Sequence, residues 1–168
     1  NLNGFFAFLT VPAHEPFPDA LHGQKVCAIV WCYTGLLVDA EATFAPIRAK
    51  FGPPILDWVG PIPHPALQSM FDGLYPTGHQ WYWKADFVDH LSDEAIARHV
   101  EHGSDLPSMW STMHLYPING AVHRAGPQDT AFAYRKTKFA EVIVGVDPDP
   151  VNKDKIVDWA RNYWDAVH

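Results

Sequence analysis

The chain has 168 residues, with 48% hydrophobic and 18% charged side chains. That is enough for one domain with a proper core, and it excludes a disordered chain. A net charge of −7 argues against nucleic acid as a partner, and no apolar run approaches the roughly 20 residues of a membrane helix. No secretory leader is visible, so a cytoplasmic location is expected. Two cysteines make no disulfide framework.

In chain order, residues 4–11 read as a strand buried on both faces. Pro12, Pro16 and Pro18 make the next stretch a loop. Lys25 to Tyr33 is a β-rich run whose Cys27 and Cys32, on opposite faces, read as buried thiols. Val38 to Phe51 is helical, stopped by Gly52; Pro46 inside it predicts a kink or a restart. Residues 55–63 are extended, and Pro65 to Asp72 makes a short helix.

Gln80 to Phe87 alternates with period two. Trp81, Trp83, Ala85 and Phe87 form an apolar side suited to helices; Gln80, Tyr82, Lys84 and Asp86 form a polar one. Ser92 caps the next helix, with Asp93 and Glu94 in its first turn. Met109 to Tyr116 is again two-faced, with Thr112, His114 and Tyr116 on its polar side. Asn119-Gly120 marks a turn, and 130–135 with 139–146 reads as a hairpin. Asp149 and Pro150 start the last helix, where Ile156, Trp159, Ala160, Tyr163, Trp164 and Val167 make one apolar stripe.

This order predicts an α+β fold: a largely antiparallel sheet with helices packed on one face and the other face open. The open face would carry Tyr82, Lys84, Thr112, His114 and Tyr116, either as a substrate or cofactor wall or as an ordinary solvated surface. Neither a phosphate-cradling glycine loop nor a nucleophile elbow is present. Of ten histidines, His99 and His102 lie three apart on a helix without a third ligand, and surface positions account for them better than a metal site. The strand-like start and the helical end suggest a piece of a longer protein.

Four stretches resemble a known family. Gly78 to Val88 is similar to the "G-x-x-x-Y-W-K-[SA]-x-F" segment of berberine bridge enzyme-like flavoprotein oxidases. Ala45-Pro46-Ile47-Arg48 with Phe51-Gly52-Pro53-Pro54 resembles "A-P-L-R…G-P-P". Asn119 to Arg124 with Thr130 to Arg135 resembles "G-G-A-V-x-R…T-A-F-x-x-R", and Trp159-Ala160-Arg161 resembles the "W-x-R" of the last helix. The resemblance implies the substrate-binding domain, residues 1–168, of a longer two-domain FAD-dependent oxidoreductase that passes hydride from a small organic substrate to flavin. The flavin domain and the closing "Y-x-N…D-P-x-N-x-F" segment are absent. FAD is then expected in the full-length parent and none in this fragment, which would be inactive alone. Its partners would be its own flavin domain and a small-molecule substrate, with a homodimer through the exposed sheet face. Arg124 takes the position where some plant members carry a glutamate base, so it joins the candidate residues and their substrate chemistry does not transfer. The alternative is a non-enzymatic α+β binding domain that uses the aromatic sheet face for a ligand or a protein.

Overall fold

A computed structural model describes residues 1–168. Five strands, β1 (Leu2–Thr10), β2 (Lys25–Tyr33), β3 (Gln80–Val88), β4 (Thr112–Pro117) and β5 (Phe139–Asp147), form one sheet in the order β2-β1-β4-β5-β3. The pairings β1–β4, β4–β5 and β3–β5 are all antiparallel. The helices are α1 (Ala40–Phe51), α2 (His64–Ser69), α3 (Asp93–Gly103), α4 (Ala121–Arg124) and α5 (Lys153–Val167). No helix is long and apolar enough to cross a membrane. The chain divides into two compact units, residues 1–4 with 31–76 and residues 5–30 with 77–168.

The larger unit holds the sheet core. α5 packs on β5 and β3, and α3 packs beside α5. Its stripe buries Ile156, Trp159, Ala160 and Tyr163 against Phe8, Leu106, Met113 and Ile143. Gly145 sets how closely α5 approaches. A Cβ there would lie 2.5 Å from the Ile156 carbonyl oxygen, well inside van der Waals contact, so only glycine lets the helix settle so deeply on β5. Ser92 caps α3 as the sequence predicts, its Oγ accepting from Ala95 N–H at 3.1 Å.

The smaller unit contains α1 and α2. Phe44 of α1 is buried against the rings of Trp31 and Tyr33. α1 runs through Pro46 as one helix, so of the expected kink or restart the restart does not occur, and Gly52 ends it at φ 75° with its N–H on the Arg48 carbonyl. Arg48 then holds the extended segment after it. Its Nε–H donates to Asp57 at 2.7 Å, while Glu41 takes Nη1 at 3.0 Å.

Three expectations need correction. Residues 130–135 form no strand; β5 instead pairs with β4 and β3, and an irregular segment precedes it. Cys27 is exposed, because it lies on the outward side of β2. His99 is buried, only 6% exposed, because its position on α3 faces the sheet and α5.

Candidate functional site

Strand register assigns every side chain of the sheet to a face. One face carries the rows Trp83–Val144–Thr112, Ala85–Val142–His114–Ala7 and Phe87–Ala140–Tyr116. The other carries Lys84–Ile143–Met113–Phe8 and Asp86–Glu141–Leu115–Phe6. Met113 and Ile143 are core residues beside Trp159 of α5, so the second set is the helix side.

The candidate residues therefore do not share a face. Thr112, His114 and Tyr116 lie on the side away from α5, but Tyr82 and Lys84 lie under it. β3 and β4 are also not neighbours, since β5 runs between them. The expected orientation of β3 is inverted: its exposed residues are Trp83 and Ala85. The physical reason is a match between strand and helix. Arg161 Nε–H donates to the Tyr82 hydroxyl at 3.0 Å, the Lys84 ammonium sits 3.8 Å from the centre of the Trp164 ring, and His168 Nε2 lies 3.2 Å from Asp86 Oδ2. Steps of three or four helical residues rise about 4.5–6 Å, close to the roughly 6.6 Å of two strand residues. Each polar tip on β3 thus finds a partner on α5, while its stem covers apolar surface. Polarity alone did not reveal this; the spacing of Arg161, Trp164 and His168 beside the apolar stripe was the available signal.

The open face is aromatic. Trp81 and Trp83 stack at 6.0 Å with 19° between their planes. Phe87 stacks on Tyr134 at 4.3 Å and meets Phe132 edge-on at 5.6 Å. Trp83 is 50% exposed and Tyr134 53%. His114 Nδ1 and the Tyr116 hydroxyl share a hydrogen bond of 2.7 Å, and the Phe5 ring lies 5.1 Å from His114 and 4.9 Å from Tyr116. Burial pushes His114 down to about 4, so its imidazole is neutral. Thr112 spends its hydroxyl on the Phe8 carbonyl at 2.8 Å. Between Trp83 and Phe87 the surface is low, because Ala85, Val142 and Ala140 are small. At one end, Gly120 (φ 58°, ψ −120°) turns the chain into α4, where Arg124 is exposed.

On the helix side lies a cluster that periodicity did not identify. Glu141 is 1% exposed, with Oε2 3.5 Å from His99 Nε2. The Tyr163 hydroxyl donates to the His99 carbonyl at 3.2 Å and lies 3.0 Å from His99 Nδ1, which makes Nδ1–H the donor there, while His99 Nε2 and Glu141 Oε1 are buried without a hydrogen-bond partner. Burial raises Glu141 to about 7 and, with the charges of His168 and His102, lowers His99 to about 4. Both are then neutral near pH 5.5. The signal in the sequence was a lone carboxylate inside the apolar run Phe139–Asp147. No group of three or more His, Cys, Asp or Glu is arranged to hold a metal ion.

Comparison with solved structures places this fold. The chain matches berberine bridge enzyme from Eschscholzia californica with a TM-score of 0.72 at 14% identity, over 98% of this chain and 34% of that one. BBE-like #28 from Arabidopsis thaliana gives 0.71 at 13% identity, over 98% and 35%. Aclacinomycin oxidoreductase gives 0.69 at 17%, over 99% and 32%. The likeness is one of fold, and the chain spans about a third of the length of these proteins. No family model matches the chain, and no curated protein matches it in sequence.

Proposed function

We propose that the chain is the substrate-binding domain of an FAD-dependent oxidoreductase, with the flavin held by another part of the parent protein and the isolated domain inactive. The observation that carries this reading is the His114–Tyr116 pair set in an open aromatic sheet face. Its support is a fold shared with aclacinomycin oxidoreductase and with a berberine bridge enzyme variant that is a reticuline dehydrogenase. Planar indole and phenyl surfaces suit a flat ring. The starts of α3 and of the turn leading into α5 are capped by their own side chains, Ser92 on Ala95 N–H and Asp149 on Val151 N–H. In this reading the pyrophosphate of FAD is held by the rest of the parent.

A flavin bound in the parent would supply the acceptor for the hydride of a substrate carbon. Oxidising a C–H beside an O–H or N–H also releases one proton. The Tyr116 oxygen accepts that proton while the phenolic proton passes to His114 Nδ1, so the substrate leaves with a new C=O or C=N bond. Above about pH 4 the imidazole is neutral, and because burial disfavours its protonated form it takes the phenolic proton only in concert with hydride transfer. Thr112 braces β4 against β1, and the stacked Trp81 and Trp83 orient the apolar body of the substrate.

The test is turnover in the full-length enzyme. His114→Ala is expected to lower it by about 10²-fold. Lys84→Ala, on the helix side, is expected to leave it nearly unchanged. Wild-type turnover in the His114 variant would overturn the reading.

A further inference from the structure

Most cations of this acidic chain are engaged. Arg48 and Arg98 have carboxylate partners, and so does Lys25. Lys50 and Lys84 lie over aromatic rings. Arg135 bonds Thr130 Oγ1 and stacks over Phe132, Lys155 reaches the Pro107 carbonyl, and Arg161 bonds Tyr82. Of the twelve lysines and arginines, four have no such partner: Arg124, Lys136, Lys138 and Lys153. Lys153 starts α5. The other three converge elsewhere.

The backbone brings those three together. Ile118 N–H donates to the Lys138 carbonyl at 2.7 Å, and Lys138 N–H donates to the Val88 carbonyl at 3.1 Å, so the ladder extends past β5 on both sides. His123 Nε2 bonds the Thr137 carbonyl at 2.8 Å, which ties α4 to the segment that carries Lys136 and Lys138. Lys138 is two residues before Ala140 and shares its parity, so it continues the open face beyond the row Phe87–Ala140–Tyr116. Arg124, Lys136 and Lys138 are all exposed. The acids of this neighbourhood are Asp129, which accepts from Gly126 N–H at 2.7 Å, and Asp89, beyond the end of β3. Neither lies within ion-pair distance of the three. Unpaired cations held at one end of an aromatic surface, on a protein of net charge −7, attract a negative group and orient the flat body attached to it.

We propose that the molecule taken by the open face is a planar organic acid, its carboxylate met by Arg124, Lys136 and Lys138 and its apolar body laid along Phe87 towards Trp83. This rests on the reading of that face as a substrate wall, and it names the substrate class.

The experiment titrates the chain with three probes of one shape: naphthoate, naphthalenemethanol and naphthalenemethylammonium. Binding is followed by NMR at the indole N–H signals of Trp81 and Trp83. Naphthoate is expected to bind roughly tenfold more tightly than the alcohol, as several exposed charges acting together allow. The advantage should shrink as salt rises from about 10 mM to about 300 mM. It should vanish in the Arg124→Ala/Lys136→Ala/Lys138→Ala variant and persist in Lys153→Ala. Equal binding of all three probes at these indoles would overturn the acid preference and leave the wall standing. Tightest binding of the ammonium probe would overturn it too. No response of either indole to any probe would overturn both the preference and the wall.

Discussion

The buried Glu141–His99 pair allows a prediction in which two large effects cancel until one is removed. Glu141 is raised from its ordinary 4.5 to about 7 by burial, opposed by His168 and assisted by Asp86. Its contribution to stability is present below pH 4.5 and lost as pH rises through 7. His99 is lowered from 6.5 to about 4 by burial and by the charges of His168 and His102. Its contribution is present above pH 6.5 and lost as pH falls through 4. Each displacement is worth about 3 kcal/mol. Between pH 4.5 and 6.5 the two slopes have opposite sign and nearly equal size, so the pair leaves wild-type stability almost flat. Glu141→Gln keeps the size and polarity of the side chain and removes one titration. Its stability should climb with pH from 4 to 6.5 by up to about 3 kcal/mol relative to wild type. His99→Gln leaves Glu141 alone and should show the reverse, falling from pH 4.5 to 7. Urea unfolding followed by tryptophan fluorescence across this pH range gives each profile. Subtracting the wild-type profile removes what the other carboxylates contribute. A Glu141→Gln profile parallel to that of wild type would refute the neutral pair. So would a loss of stability of similar size at every pH in both variants, which is the signature of a broken ion pair.

Other expectations follow from single contacts. Gly145→Ala drives a methyl against the Ile156 carbonyl 2.5 Å away and should cost about 1–3 kcal/mol in urea unfolding, whereas Gly60→Ala, with nothing within 4 Å, should not destabilise. Ser92→Ala removes the cap on Ala95 N–H and should lower stability by about 1 kcal/mol. Trp83→Ala, at a half-exposed site, should change stability by less than about 1 kcal/mol while weakening naphthoate binding by NMR titration; unchanged affinity would remove Trp83 from the wall.

Sequence legibility followed how local each signal was. The apolar stripe of α5, the Ser92 cap and the Gly52 stop are set by neighbours a few residues away, and each is found where the pattern put it. The inversion of β3 depends on α5, some 80 residues downstream. Trp81, Trp83 and Phe87 read as core by composition, yet they look outward because Tyr82, Lys84 and Asp86 find specific partners beneath the helix. The 130–135 segment has strand-like residues, but β4 and β3 already occupy both edges of β5, so no ladder is left for it beside that strand. His99 read as a surface histidine because nothing on α3 announces Glu141 across the core. Of the candidate residues, β4 contributed those that stayed together, since the parity of Thr112, His114 and Tyr116 needed no knowledge of a distant helix.

The low row across the open face separates what the protein must keep from what it is free to change. Ala85, Val142 and Ala140 are small residues on that face, flanked in register by Trp83 and Phe87 on β3 and by His114 and Tyr116 on β4. The core lies on the opposite side of the same strands, where Ile143 and Met113 are sealed beneath α5. Enlarging or reducing one of these three side chains would reshape that face without touching the core. On the substrate reading proposed above, ligand preference would drift in steps of a few carbon atoms while the fold stays as it is, which makes these three positions the natural first library for redesigning selectivity.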